Sequence, residues 1–409
     1  MNILFVSFLQ PDAPSGVRVH YLQLAALLRE RGHQVDLVTT ATLTGWRRHV
    51  VAALRHGLHR LGPSARALAM DFTNFLLIKW GIDARRSYGL VHAHDVGSGV
   101  AASQALAGRV PVVVTGHFND HPGEELVLQQ GLTGAPAQRV VRWYNFLLAR
   151  TTYFISVSAY VRNHTVPWLP AEGLHTLVHN GIDLAAFGRA LPDAELLQLA
   201  RGRQVLLNTG YLEARKNQQF LLRVAQALRV YRQDFVVAFA GLGPDEAALR
   251  QQIENDGLQE ITVLLGHHDD VAPLLRASDL YVHTANRENC PLVLLEAMAC
   301  GVPVLARAVG GIPEVLAATP AALLPPDASP EAVAQTLHQL LGSPAAQADL
   351  RERQAAYAAA HFDAQRMADA TLAFYQDAAR HFRSRSHRPQ PATVPLESSL
   401  ANEGRTLTT

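Results

Sequence analysis

A chain of 409 residues can hold two domains with separate cores. Its 48% apolar and 17% charged residues exclude a disordered polymer, and a formal net charge of +1 carries no nucleic-acid signature. Two cysteines, Cys290 and Cys300, exclude a disulfide framework and fit a reducing cytoplasm.

The N-terminal run MNILFVSFLQ has no basic start and ends in PDAPSG, so it reads as a first strand rather than a secretory signal. No apolar stretch reaches the length of a membrane span. Asn2 to Ser7 reads as a buried strand, Gly16 leads into a helix carrying Leu22, Leu24, Leu27 and Leu28, and Val35 to Thr39 is the next strand. In this βαβ unit Gly16 lies beyond the carboxyl end of a strand, where open α/β sheets place ligands; it is either a ligand-facing glycine or a plain turn. Residues 45–80 begin basic and amphipathic, with Arg47, Arg48, Arg55 and Arg60, and continue rich in large apolar groups. They pack as a helix pair with a solvated basic face, or they lie on an anionic membrane surface.

Strands are predicted at Leu90 to His94, Val110 to Thr115, Tyr153 to Ser158 and Thr176 to His179, each entering a polar loop. Those loops gather His94, Asp95, His117, Asn119, Asp120 and His121 above one sheet edge. The spacing matches no zinc or two-metal signature, so hydroxyl and phosphate recognition is the expected use and no metal is assigned. Asn180–Gly181 is a turn, and the polar stretch ending near Arg203 separates a first domain, residues 1–185, from a second, residues 200–360.

The second half repeats the alternation, with strands at Val205 to Thr209, Phe235 to Ala240, Ile261 to Leu265, Leu280 to Thr284 and Pro303 to Ala306. These continuous apolar runs suit a parallel sheet covered on both faces. GYLEARKN (210–217) carries Arg215 and Lys216, whose charges suit a diphosphate. Residues 283–314 read HTANRENCPLVLLEAMACGVPVLARAVGGIPE. Asn289 can cap a helix that Pro291 opens, and Gly301 can end it. The free N–H groups at its start favour an anion. Glu288 lies just before that start and Glu296 more than a turn inside, so one carboxylate can face a sugar while the other accepts ribose hydroxyls. Residues 345–382 read as helical, and residues 383–409 as a disordered tail.

Together these features resemble the retaining glycosyltransferases of family 4, over residues 1 to 382. The E-x7-E element, Glu288-NCPLVLL-Glu296, followed by AMACGVPV and GGIPE, carries most of the resemblance, with HNGID at the junction. The resemblance implies the GT-B fold: two doubly wound Rossmann-like domains facing each other across a cleft, with a helix over 361–382 returning to the first domain. It implies that Glu288 approaches the donor sugar, that Glu296 holds the donor ribose, that Gly16 approaches the donor diphosphate and that His117 stands by the reaction centre. The donor surface would include Tyr211, Arg215, Lys216, Asn289, Cys290, Pro291 and Leu292. Two positions depart from the family pattern. Tyr211 stands where an arginine is usual, leaving diphosphate binding to Lys216, Arg215 and backbone N–H groups. Asn289–Cys290–Pro291 replaces the usual residues after the first glutamate.

The implied reaction is metal-independent transfer, with no cofactor, from a nucleoside-diphosphate sugar to a hydroxyl of a saccharide or lipid-linked acceptor, in the cytoplasm or at the inner membrane face. Envelope polysaccharide or glycolipid synthesis is the expected context. An epimerase or synthase of the same fold and a non-catalytic sugar-nucleotide binder are the competing classes. A dehydrogenase lacks its glycine fingerprint here.

Overall fold

Short apolar runs become the strands, and because neighbouring strands are parallel each link must cross over, mostly through a helix. The computed structural model describes residues 1–12 and 15–386. Its first sheet contains β1 (Asn2–Ser7), β2 (Gln34–Thr39), β3 (Leu90–Ala93), β4 (Val112–Gly116), β5 (Tyr153–Ser156) and β6 (Leu174–Leu177), in the order β2-β1-β3-β4-β5-β6. The second contains β7 (Gln204–Thr209), β8 (Phe235–Ala240), β9 (Thr262–Gly266), β10 (Leu280–His283), β11 (Val304–Arg307) and β12 (Leu323–Leu324), in the order β12-β11-β10-β7-β8-β9. Strand order reverses between β1 and β3 in one sheet and between β7 and β10 in the other. Ligand crevices of doubly wound sheets form at such switch points, beyond the carboxyl ends of the strands. The two lobes face each other across a cleft, as the GT-B expectation required.

The core explains the strand composition. All six residues of β8 and five of the six in β1 are buried. Apolar clusters cover the two faces of the first sheet, and one continuous cluster fills the second lobe. Helix Ala364–Ser386 contributes Met367, Ala368, Phe374, Tyr375 and Ala378 to the first lobe's core, and Arg31 ties to it through Asp369 at 2.9 Å. The chain thus crosses between lobes twice, and the crossings touch. Ile182 donates its N–H to Phe362 O (2.9 Å), and Ala364 donates to Ile182 O (3.0 Å). A side chain at Gly181 would begin 2.8 Å from Ala364 Cα, so the close approach demands glycine.

Several local expectations change. The 345–382 stretch is two helices, Pro344–His361 and Ala364–Ser386, broken where Asp363 bridges to Ile182. The second continues past residue 383, so only residues 387–409 of the expected tail lie outside the described residues. The second lobe's core starts before residue 200, because Leu196 and Ala200 of helix Ala194–Ala200 are buried in it. Residues 45–80 form helices Trp46–Leu58 and Pro63–Gly81. Two of their arginines turn inward: Arg48 donates to Thr40 O and Leu43 O, and Arg55 to Thr73 Oγ1 and Asn74 Oδ1. Helix Pro122–Gln129 starts inside the polar loop expected after β4, and helix Gly134–Leu148 follows it. No described helix is long and apolar enough to cross a membrane.

Candidate active site

The loop leaving β10 carries the first glutamate. Glu288 is 5% exposed, and its Oε1 meets Lys216 Nζ, His283 Nε2 at 3.3 Å and Arg215 Nη1 at 3.4 Å. Burial alone would raise its carboxyl, but Lys216, His283 and Arg215 outweigh burial and hold it well below the usual carboxylate range. Arg215 is itself anchored, with Nη2 donating to Glu213 Oε1 at 2.7 Å and Nη1 to Arg287 O at 3.3 Å. The loops after β7 and β10 therefore meet at one compact charge cluster. Tyr211, the first residue after Gly210, is 47% exposed at the rim, and its carbonyl accepts from Gln218 Nε2.

GGIPE supports this loop from behind. A Cβ on Gly310 would lie 1.8 Å from Glu288 O, and one on Gly311 would lie 2.1 Å from Asn289 O. Gly310 also has φ +54, so both conformation and space require glycine. Asn289 does not cap the following helix, Leu292–Ala299; Pro291 occupies the cap position. The Asn289 side chain is instead taken by the other lobe, with Oδ1 accepting from Ser158 Oγ and Nδ2 donating to Phe118 O at 2.9 Å. Asn180 Nδ2 donates to Cys290 O at 2.7 Å, and Glu314 accepts the N–H groups of Ala159 and Tyr160 at 2.7 and 2.8 Å. The Cys290 thiol is buried, which pushes it up to about 12 and leaves it inert.

Leu292 begins the helix and faces Gly16 across the cleft: a Cβ on Gly16 would lie 3.6 Å from Leu292 Cδ1. Gly16 opens helix Gly16–Glu30, capped by Ser15 Oγ accepting from Val17 N. Two helix N-termini, one from each lobe, therefore converge where an anion would be favoured. Glu296 lies one turn along, partly covered, and its carboxylate accepts no hydrogen bond from the described residues. Burial first, then Asp270, raises its carboxyl to about 7.

In the first lobe His117 belongs to a histidine cluster. His94 Nδ1 lies 3.5 Å from His117 Nε2, and the His20 ring centroid is 4.7 Å from that of His117. Burial and the neighbouring imidazoles push His94 and His117 well below the ordinary histidine value, and burial takes His20 to about 4. All three are neutral near pH 7. One nitrogen from each falls within 4.8 Å of the others, close enough to share an ion. The sequence already gathers His94 and His117 at this sheet edge; His20, which lies on the first helix, completes the cluster. His20, on the first helix, and His283, at the end of β10, are absent from the sequence candidates, and only the fold aims them inward. His267 and Asp269, in the loop after β9, pair at 3.1 Å on the surface, outside that cluster.

Sequence profiles agree with this architecture. One described as "Glycosyl transferases group 1" matches residues 195–361, and one described as "Glycosyltransferase Family 4" matches residues 14–186. The D-inositol 3-phosphate glycosyltransferase of Mycobacteroides abscessus is 30% identical over 349 residues, covering 80% of this chain and 77% of that protein. The phosphatidyl-myo-inositol mannosyltransferase of Mycobacterium leprae is 29% identical, covering 88% and 90%. Among solved structures, Anabaena HepE in complex with UDP-glucose superposes with a TM-score of 0.64 at 20% identity, covering 94% of this chain and 100% of that one. Sucrose-phosphate synthase from Thermosynechococcus elongatus reaches 0.69 at 20% identity, covering 92% and 98%. The chain therefore belongs to the GT-B glycosyltransferases of the group 1 and family 4 type and is a transferase enzyme.

Proposed function

We propose that this enzyme moves a sugar from a nucleoside-diphosphate sugar to an acceptor hydroxyl with retention at the anomeric carbon. The observation that carries this reading is the convergence of Lys216, Arg215 and Glu288 with the paired N-termini at Gly16 and Leu292. That arrangement suits a diphosphate beside a sugar. Lys216, paired with Glu288 in the free protein, turns to the diphosphate, and Glu288 is released toward the sugar hydroxyls. Glu296 accepts from the ribose. The bond from the anomeric carbon to the diphosphate oxygen breaks, its electron pair stays on that oxygen, and the acceptor oxygen attacks from the same face. The acceptor proton passes to the leaving phosphate oxygen. Lys216, Arg215 and helix N–H groups carry the developing charge, so the step runs on the protein's own donors without a metal. His117, neutral, hydrogen-bonds the transferring sugar.

Envelope polysaccharide or glycolipid synthesis is the favoured context, supported by relatives named for inositol-type acceptors. Trp46, Val50 and Leu54 form an exposed apolar stripe at helical spacing, with Arg47 beside Trp46, which supports peripheral contact with an anionic membrane. The deciding experiment incubates the full chain with a panel of isotope-labelled nucleotide sugars and with soluble and membrane acceptor extracts, and reads the anomeric configuration of the product by NMR. Transfer with retention supports the proposal; inversion, or epimerisation alone, sinks it.

A further inference from the structure

Beside His117 the first lobe holds a cavity of about 430 Å³. Phe8, Phe75, Phe118, Trp143 and Tyr144 make much of its wall, the kind of surface that stacks on the C–H face of a ring. Three carboxylates also reach it: Asp71, Asp95 and Glu125. None of the described residues lining it is a lysine or an arginine. Its histidines, His94 and His117, are neutral because burial depresses them.

The three carboxylates have different duties. Asp95 is part of the frame, since Oδ1 accepts from Ser98 N at 2.7 Å and Oδ2 from Phe8 N at 2.8 Å. Asp71 uses Oδ2 for the Tyr144 hydroxyl, and Glu125 uses Oε1 for the N–H groups of Asn119 and Asp120. Asp71 Oδ1 accepts nothing from the described residues, so it offers an oxygen to a ligand hydroxyl, and Glu125 adds a second carboxylate to the wall. The field at Tyr144 is negative: after burial, Asp71, Asp95 and Glu125 are what push its hydroxyl well above the ordinary tyrosine value. A phosphate placed here would meet like charge in a poorly solvated space, with no lysine or arginine among the lining residues to pair it.

We infer that the acceptor seated in this cavity is uncharged, a hydroxyl-bearing ring with an apolar face and no phosphate. The inference rests on the glycosyltransfer reading above and narrows it. It separates this enzyme from the relative named for D-inositol 3-phosphate, whose acceptor is an anion by that name.

The test uses the full chain saturated with nucleotide and two matched ligand pairs: myo-inositol with its 3-phosphate, and phenyl glucoside with its 6-phosphate. Nucleotide binding is first measured by calorimetry with UDP, GDP and ADP; a parent that binds none of them defeats the donor reading rather than this inference. Saturation-transfer NMR and titration then rank each pair. The neutral member is expected to bind at least about tenfold more tightly. In Asp71→Asn and Glu125→Gln, which keep shape and remove charge, that preference narrows several-fold. A phosphorylated member that binds as well as its neutral partner, failure of both neutral ligands to bind, or an unchanged preference in both variants overturns the inference.

Discussion

Replacing Glu296 by Gln separates what this residue costs the fold from what it offers a ligand. Its carboxyl is raised by burial, then by Asp270, from an ordinary 4.5 to about 7. The folded state holds that proton more tightly than the unfolded state, so stability falls as pH rises from 4.5 through 7. At 1.36 kcal/mol per pKa unit this corresponds to at most ~3 kcal/mol. The side chain is only partly covered, and solvent screening brings the expectation to about 1–2 kcal/mol. Gln keeps the shape and an acceptor oxygen but never ionises. Glu296→Gln should therefore be more stable than the parent by that amount above pH 7, with the advantage shrinking toward pH 4.5. Equilibrium urea unfolding across that range measures it. The probe must report the correct lobe: all four tryptophans, Trp46, Trp80, Trp143 and Trp168, lie in the first, whereas the buried Cys290 and Cys300 lie in the second. Thiol labelling during unfolding is therefore the readout. An advantage that is absent above pH 7, or constant across the range, refutes the reasoning.

Three further outcomes follow from the same geometry. Lys216→Met should lower turnover on the order of 10²–10³-fold with weaker nucleotide binding, because a charge aimed at the leaving group is removed; steady-state kinetics showing near-parental turnover would exclude the proposed role. Gly310→Ala should destabilise the second lobe by at least ~2 kcal/mol, since the added carbon starts on top of Glu288 O in left-handed backbone; thiol-labelled unfolding checks it. Trp46→Ser with Val50→Ser should abolish sedimentation with anionic liposomes, whereas neutralising Arg48 or Arg55 should instead unsettle helix Trp46–Leu58, because those two arginines bond inward. Failure of the parent to sediment would remove membrane contact.

Much of the fold was legible because doubly buried parallel strands read as continuous apolar runs, as β8 does. The Glu288–Glu296 spacing was legible because a short loop runs directly into helix Leu292–Ala299, so the interval lies within one continuous stretch of sequence. What stayed hidden was whatever the fold assembles from distant segments. His94 and His117 were expected at one sheet edge, but His20 joins them only once the first helix packs there. Asn289 has ordinary capping chemistry, yet Ser158 and Phe118 of the facing lobe claim its amide. Arg48 and Arg55 are indistinguishable in sequence from Arg47, and only packing turns them inward. The Gly134–Leu148 helix buries only Val140, Leu147 and Leu148, a pattern too sparse to stand out beside the polar loop before it.

The paired crossings at Ile182 and Asp363 have a mechanical consequence. The lobes are joined by a two-ply ribbon rather than a single tether, and its plies are bonded to each other. Such a ribbon bends more easily than it twists or stretches. The lobes can swing like a jaw about one line while sideways slip is resisted. A swing of the lobes about that line would return Gly16 to Leu292 in the same alignment, without that alignment having to be found anew by diffusion.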